Sequence, residues 1–350
     1  MTNWLFVSTL TLILAMVYGW AFKVLPGERW QIICAIPVKK RADGSWQGLN
    51  LTYYGLFNAM ALGAAVALVL VLTGASGVAP GVFAAVMATL LGCCLPASRI
   101  IARWVEKKPH TLSVGAASFV GIVAAPWLVL LMETIAGRWM AVRFESMAVV
   151  AALMVGYALG EGIGRLACIS YGCCYGKPIA ATPPLVKRYL SWATFTYSGG
   201  TKKIAYAHQL EGQPIFAVQA ITAVLYTASA LAGSLLFLHG RYAWAFFLCL
   251  LVTQGWRFLS EFLRADYRGD RKISVYQIMS LITIPYGLMI PLLFPFVGGQ
   301  PPDLLSGLRQ LWSPAMLLFL QVLWIIMFIK TGRSEVTGSG LTFHVNRDRI

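Results

Sequence analysis

Two Arg–Glu pairs, each spaced four apart, stand in segments otherwise suited to a hydrocarbon core. Glu161 and Arg165 fall in GEGIGRLACISYGCCYGK, and Arg257 and Glu261 fall in TQGWRFLSEFLRAD with Arg264 a further turn on. Residues four apart share a helix face, so each spacing predicts an ion pair. An ionisable group inside a span costs several kcal/mol and usually faces a cavity or the bundle interior. The plainer alternative is a pair of helix-end contacts whose long side chains reach out to the interface. Two pairs at one membrane face, in Gly-rich or aromatic surroundings, argue for a pocket. Three guanidiniums converging at headgroup depth suit a phosphate, because their planar forks match its oxygens.

Sulfur and glycine mark the same region. Gly92-Cys93-Cys94 and Gly172-Cys173-Cys174 form a matched pair of motifs. A thiolate near Arg165 would have its pKa lowered and could serve as a nucleophile, while ordinary buried thiols are the competing reading. No C-x-x-C or His spacing supports a metal site, so none is expected. Cys34 and Cys249 read as packing residues. Gly160, Gly162, Gly164, Gly172 and Gly176 would let helices approach closely, or let backbone lie against a lipid glycerol or phosphate. The two readings are compatible.

The elements that position these groups are helices in a membrane. Apolar residues make up 58% of the 350 and charged ones only 12%, against about 25% charged in a soluble domain. Spans of about 20 apolar residues are expected near 4–23, 50–73, 80–98, 113–135, 146–170, 214–238, 241–263, 274–297 and 312–329. The result is an all-α polytopic membrane protein. The polar stretch 171–213 reads as a headgroup-level cap, 24–49 as a basic loop, and the tail after Lys330 as polar and mobile. The first apolar run is preceded by no Lys or Arg and is long enough to span, unlike a signal peptide.

The net charge of +15 fits anionic headgroups, and no aromatic-basic motif points to nucleic acid. Of 28 Lys and Arg residues, all but Arg138, Arg143, Arg241 and Arg309 fall on one side of this topology. The positive-inside rule makes that side cytoplasmic.

These residues together resemble the bacterial prolipoprotein diacylglyceryl transferase family. The likeness is strongest in GRLACISYGCCYGK (164–177), and in GWRFLSEFLR (255–264) followed by ISVYQIMSL (273–281). Weaker echoes are TYYGL (52–56), SRIIAR (98–103) and QPIFAVQA (213–220), so the likeness covers about 50–290. It implies a seven-helix transferase core with one added helix at each end. The divisions are 1–49 (helix and basic loop), 50–298 (core) and 299–350 (helix and tail).

It also implies that Arg165, Arg257 and Arg264 hold a phosphatidylglycerol headgroup, that Glu261 orients Arg257, and that Tyr54 sits near the acceptor. Arg99, Cys168, Gly176 and Gln277 fall at further motif positions and are candidate substrate contacts. The reaction implied moves a diacylglyceryl group onto a lipobox cysteine thiol, releasing glycerol phosphate without metal, nucleotide or other cofactor. The setting implied is the inner membrane with the active face in the periplasm, opposite to the charge distribution.

The chain departs from the family where protons are handled. Ser113-Val114-Gly115-Ala116-Ala117 stands in place of a His-Gly-Gly, Cys168 in place of an Asn, and Cys173 in place of an acidic residue. Gln213 and Gln219 replace a His and a Glu. That pattern points to a paralogue with a changed acceptor or changed chemistry, in which Cys173 or Glu161 would handle the acceptor proton. Two other classes compete: a phospholipid-binding or lipid-transport protein without turnover, and a structural or redox-sensing protein built around the Cys pairs.

Overall fold

Backbone in hydrocarbon satisfies its own hydrogen bonds only as a helix or a closed barrel, so long apolar runs dictate where this chain is helical. A computed structural model describes residues 1–29, 31–106, 114–139, 144–265, 273–294 and 301–350. Lys107, Lys108, Ser113, Arg143, Arg268, Arg271 and Lys272, counted or aligned above, lie outside the described residues. Helix α1 (Thr2–Val24) leads into strands β1 (Ile32–Lys40) and β2 (Trp46–Thr52), followed by α2 (Tyr53–Ala75), α3 (Pro80–Glu106), α4 (Val114–Trp139) and α5 (Ser146–Tyr171). Then come a 3-10 turn (Ile179–Ala181), α6 (Pro184–Tyr189), β3 (Thr194–Thr196), α7 (Lys203–His208) and β4 (Pro214–Phe216). The chain closes with α8 (Val218–Leu238), α9 (Tyr242–Ser260), α10 (Val275–Leu293), α11 (Leu304–Leu311), α12 (Pro314–Gly332) and β5 (Ser339–Leu341).

Among the described residues, nine helices are long and apolar enough to cross a membrane, at the nine places expected. The protein is an all-α multi-pass membrane protein with small sheets at one face. Helix α3 runs past 98 to Glu106, carrying Arg99 and Arg103 on helix and not loop.

Helix α5 is the centre of the bundle and packs against α2, α8, α9 and α4. Its glycines account for that closeness. A methyl group at Gly156 would strike Val69 and one at Gly162 would strike Thr227. Helix packing therefore explains these positions.

The polar face is more ordered than the composition implies. The basic loop at 24–49 contains the β1–β2 hairpin, and the tail supplies β5, which pairs antiparallel with β2. An isolated bridge between Leu51 and Arg333 continues that seam. Strand pairing, invisible to hydropathy, thus structures part of a tail expected to be mobile. A second sheet joins β3 to β4, and bridges Pro178–Ile215 and Gly176–Arg264 tie the cap together. Cys34, expected in packing, is exposed on β1.

One basic residue of this face is not at its surface. Lys202 is fully buried and its Nζ donates to Leu25 O at 2.8 Å and Ser170 O at 2.9 Å. These carbonyls end α1 and α5, where helix dipoles favour a cation. The ammonium therefore clamps the first helix to the central one. Burial pushes its pKa down to about 8, with Glu28 opposing.

Between that value and the unfolded 10.5, the unfolded chain binds the proton and the folded one does not, so stability rises with pH. Below about 8 both states are charged and the slope vanishes. The shift corresponds to roughly 3 kcal/mol. We expect the melting temperature of the wild type, relative to Lys202→Met, to climb from pH 8 to 10 and stay flat from pH 6 to 7.5. A flat difference throughout would show that folded and unfolded chains hold the proton equally, so that burial does not lower the pKa.

Candidate functional site

The last turns of α5 and α9 bring the expected charges together in a different pairing. Arg165 donates to Glu161 one turn below it on α5, as their spacing predicts. Arg257 reaches across from α9 to the same carboxylate at 3.4 Å, and its other nitrogen donates to Ser118 Oγ of α4 at 3.0 Å. Glu161 therefore serves two guanidiniums from two helices. Its side chain is 7% exposed, and those of Arg165 and Arg257 are 14% and 11% exposed.

The expected Arg257–Glu261 pair does not form. The α-helix stops at Ser260 and Glu261–Leu263 wind as a 3-10 turn. A 3-10 turn aligns residues three apart, not four, so Glu261 faces Arg264 at 3.9 Å. Ser274 Oγ donates to the same carboxylate at 3.2 Å. Ser274 also caps α10, exchanging hydrogen bonds with Gln277 in a capping box. Gln277 in turn donates to Phe258 O at 3.1 Å, so its side chain braces α10 against α9.

Arg264 is held by its backbone. It bridges to Gly176, while Lys177 N donates to Leu263 O and Ala265 N to Tyr175 O. Gly176 must be glycine, since an added methyl would lie 2.4 Å from Phe216 O. Its part is to let the cap strand press Arg264 into place, and Arg264 lies within electrostatic reach of Arg165. Three guanidiniums thus gather at one membrane face, carried by α5, α9 and the segment after it. Arg99, by contrast, is exposed on α3, and no described contact joins it to the cluster.

Beside the arginines lies a sulfur cluster. Helix α5 ends at Gly172 in the left-handed conformation (φ 68°), and Cys173 N donates back to Cys168 O. That reversal folds Cys173 and Cys174 over Cys168, with the three Sγ atoms within 4.8 Å of one another. The Cys173 thiol was expected to be acidified by Arg165. Its pKa is instead pushed well up, by hydrogen bonding to Cys168 and Cys174 and then by burial. Cys93 is exposed and Cys94 half-buried on α3, so the matched motif does not supply the third sulfur. Tyr54 packs tilted against Tyr171, ring centroids 5.4 Å apart, and lies within electrostatic reach of all three thiols.

Several contributors escaped the sequence reading: Ser118, Tyr157, Tyr226 and Tyr197. Each is a polar group on or beside an apolar helix, where such groups are costly unless they meet a partner, and that was the available signal. Tyr157 and Tyr226 flank Arg257 and Glu161, and Tyr226 donates to Thr253 O at 2.6 Å, joining α8 to α9. A cavity of about 540 Å³ lies apart from this chemistry, between α2 and α12 beside Ala64, Leu317 and Trp324.

Residues 45–293 match the family model described as prolipoprotein diacylglyceryl transferase. No curated protein and no solved structure matches the chain.

The shared carboxylate makes an unequal prediction. Replacing Glu161 by Gln strands two buried guanidiniums, and breaking a buried pair costs about 3–5 kcal/mol. Glu261→Gln loosens one longer contact and keeps a hydrogen-bonding side chain, a loss of about 1 kcal/mol. Thermal unfolding in detergent should show a clearly larger drop for Glu161→Gln. Equal drops would contradict the pairing described.

Proposed function

Because the chain belongs to the prolipoprotein diacylglyceryl transferase family, we propose that it transfers a diacylglyceryl group from phosphatidylglycerol to an acceptor. The observation that carries this reading is the gathering of Arg165, Arg257 and Arg264 at one membrane face. In this reading the phosphate docks on guanidinium nitrogens turned away from Glu161 and Glu261. The two carboxylates fix the forks, which lowers the reorganisation needed when charge builds on the phosphate.

The acceptor's nucleophilic atom bonds to the terminal glyceryl carbon, and the carbon–oxygen bond to phosphate breaks. The bonding electrons leave with glycerol phosphate, whose charge the three arginines balance. The acceptor's proton goes to that leaving phosphate, which has a second pKa near 6. Glu161 is committed to two cations, and Cys173 is buried with its proton held firmly. Neither is assigned the proton transfer, and the acceptor binds on the side of Tyr54.

One observation favours a second reading, phospholipid binding without turnover: Gln213 and Gln219 occupy positions where the resemblance calls for His and Glu, and Gln213 is exposed. Purified protein with headgroup-labelled phosphatidylglycerol and a membrane extract as acceptor source separates the two. Thin-layer chromatography should show released glycerol phosphate with wild type. Arg165→Ala should lower the rate by about 10²–10³, the effect typical of removing one transition-state donor, and Arg165→Lys should restore little of it. Tight binding with no release would replace transfer by binding.

We place the protein in the bacterial inner membrane with the cap on the cytoplasmic side, following its concentration of Lys and Arg. Thr201 is exposed on the cap. Thr201→Cys in an otherwise cysteine-free chain should resist a membrane-impermeant maleimide in intact cells and react after lysis. Labelling of intact cells would turn the cap outward.

A further inference from the structure

Cys168, Cys173 and Cys174 offer three sulfurs to one point, and the fold holds them there. The helix-ending turn through Gly172 sets the direction of Cys173. Cys174 takes a left-handed backbone conformation (φ 55°), which a residue with a side chain adopts only under constraint. A three-coordinate ion with metal–sulfur bonds of about 2.3 Å separates its sulfurs by about 4 Å. The Sγ atoms, within 4.8 Å of one another, meet that spacing after small side-chain rotations.

A second observation points the same way. Tyr197 and Gln219 are buried beside the cluster, each about 1% exposed, and their side chains face each other. Gln219 is fixed at the cluster, its amide nitrogen donating to Cys173 O at 3.0 Å. Tyr197 lies within electrostatic reach of all three thiols. A buried phenol and amide beside clustered sulfurs suit the outer shell of a coordination site: Gln219 can brace it, and Tyr197 can donate to a bound thiolate. Cys174 is only half-buried, which gives an ion a way in.

We propose that Cys168, Cys173 and Cys174 form a three-thiolate site for a soft d10 cation, Cu(I) foremost and Zn(II) second. All-sulfur, low-coordinate sites select such ions. On binding, three S–H bonds break, three metal–sulfur bonds form, and three protons go to solvent, with no change in oxidation state. Arg165, within electrostatic reach of Cys168 and Cys174, offsets the negative charge created. The inference does not rest on the transferase reading. It adds that the ion would sit next to the phosphate-holding arginine and tune it.

The test uses the full-length reduced protein in detergent under anaerobic conditions. Cu(I) is titrated against a chromophoric Cu(I) chelator, and Zn(II) separately against a fluorescent chelator. We expect one equivalent of Cu(I) to bind in competition with the chelator. X-ray absorption of that sample should show three sulfur neighbours at about 2.3 Å. Cys168→Ser and Cys174→Ser should each lose this equivalent, and Cys93→Ser/Cys94→Ser should keep it. Should the serine variants fail to fold, X-ray absorption of the wild type still decides. Nitrogen or oxygen neighbours, retention of the ion by Cys168→Ser, or its loss with Cys93 and Cys94 would overturn the proposal. So would thiols that bind neither ion after reduction of a disulfide among the three, which would make the cluster a redox pair.

Discussion

A single carboxylate shared by two arginines sets the terms for the rest of the bundle. Glu161 sits on the most enclosed helix, and an unpaired charge there would be prohibitive. It is tolerable because Arg165 lies one turn away and Arg257 arrives from α9. That arrival requires α9 to lie close against α5 and α8, through the Tyr226–Thr253 and Trp256–Thr222 hydrogen bonds. The small residues of α5 serve the same end by letting α2 and α8 approach. Compensation of one buried charge thus constrains the packing of four helices.

A second layer of constraint comes from the polar face. Arg264 lies beyond the α-helix, in extended conformation, and its backbone bridge to Gly176 helps fix its direction. The cap is therefore part of the site's frame and not a cover over it. Lys202 works at the same level, joining the ends of α1 and α5 from beneath the cap. Helix α1, which precedes the residues matching the family model, thereby becomes mechanically continuous with the helix bearing Glu161.

The helices were legible because hydrophobic length is a direct readout of bilayer thickness. The Arg165–Glu161 pair was legible because helix geometry fixes what lies four residues away. The Arg257–Glu261 expectation failed for an equally local reason: helical geometry stops at Ser260, and hydropathy carries no mark of a change from 3.6 to 3 residues per turn. Ser274 and Gln277 did carry such a mark, as Ser-x-x-Gln before an apolar run signals a new helix start, and hence an end to the preceding one. The sulfur cluster was half legible. The Cys173-Cys174 pair was conspicuous, but the third sulfur is Cys168, which the reversal at Gly172 brings in. The β2–β5 pairing was illegible, since it joins residues from opposite ends of the chain.

That long-range pairing has a consequence for biogenesis. Strand β5 is made only after all the long apolar helices, whereas its partner β2 follows directly on α1 and β1. Until β5 is made, the edge of β2 that later takes it presents unpaired backbone at the membrane surface. Such an edge is a template for any passing strand. The nascent chain must hold that edge vacant, or shield it with a chaperone or lipid, until β5 returns to it. A ribosome stalled before Ser339 would leave a fully inserted bundle with an open, adhesive seam.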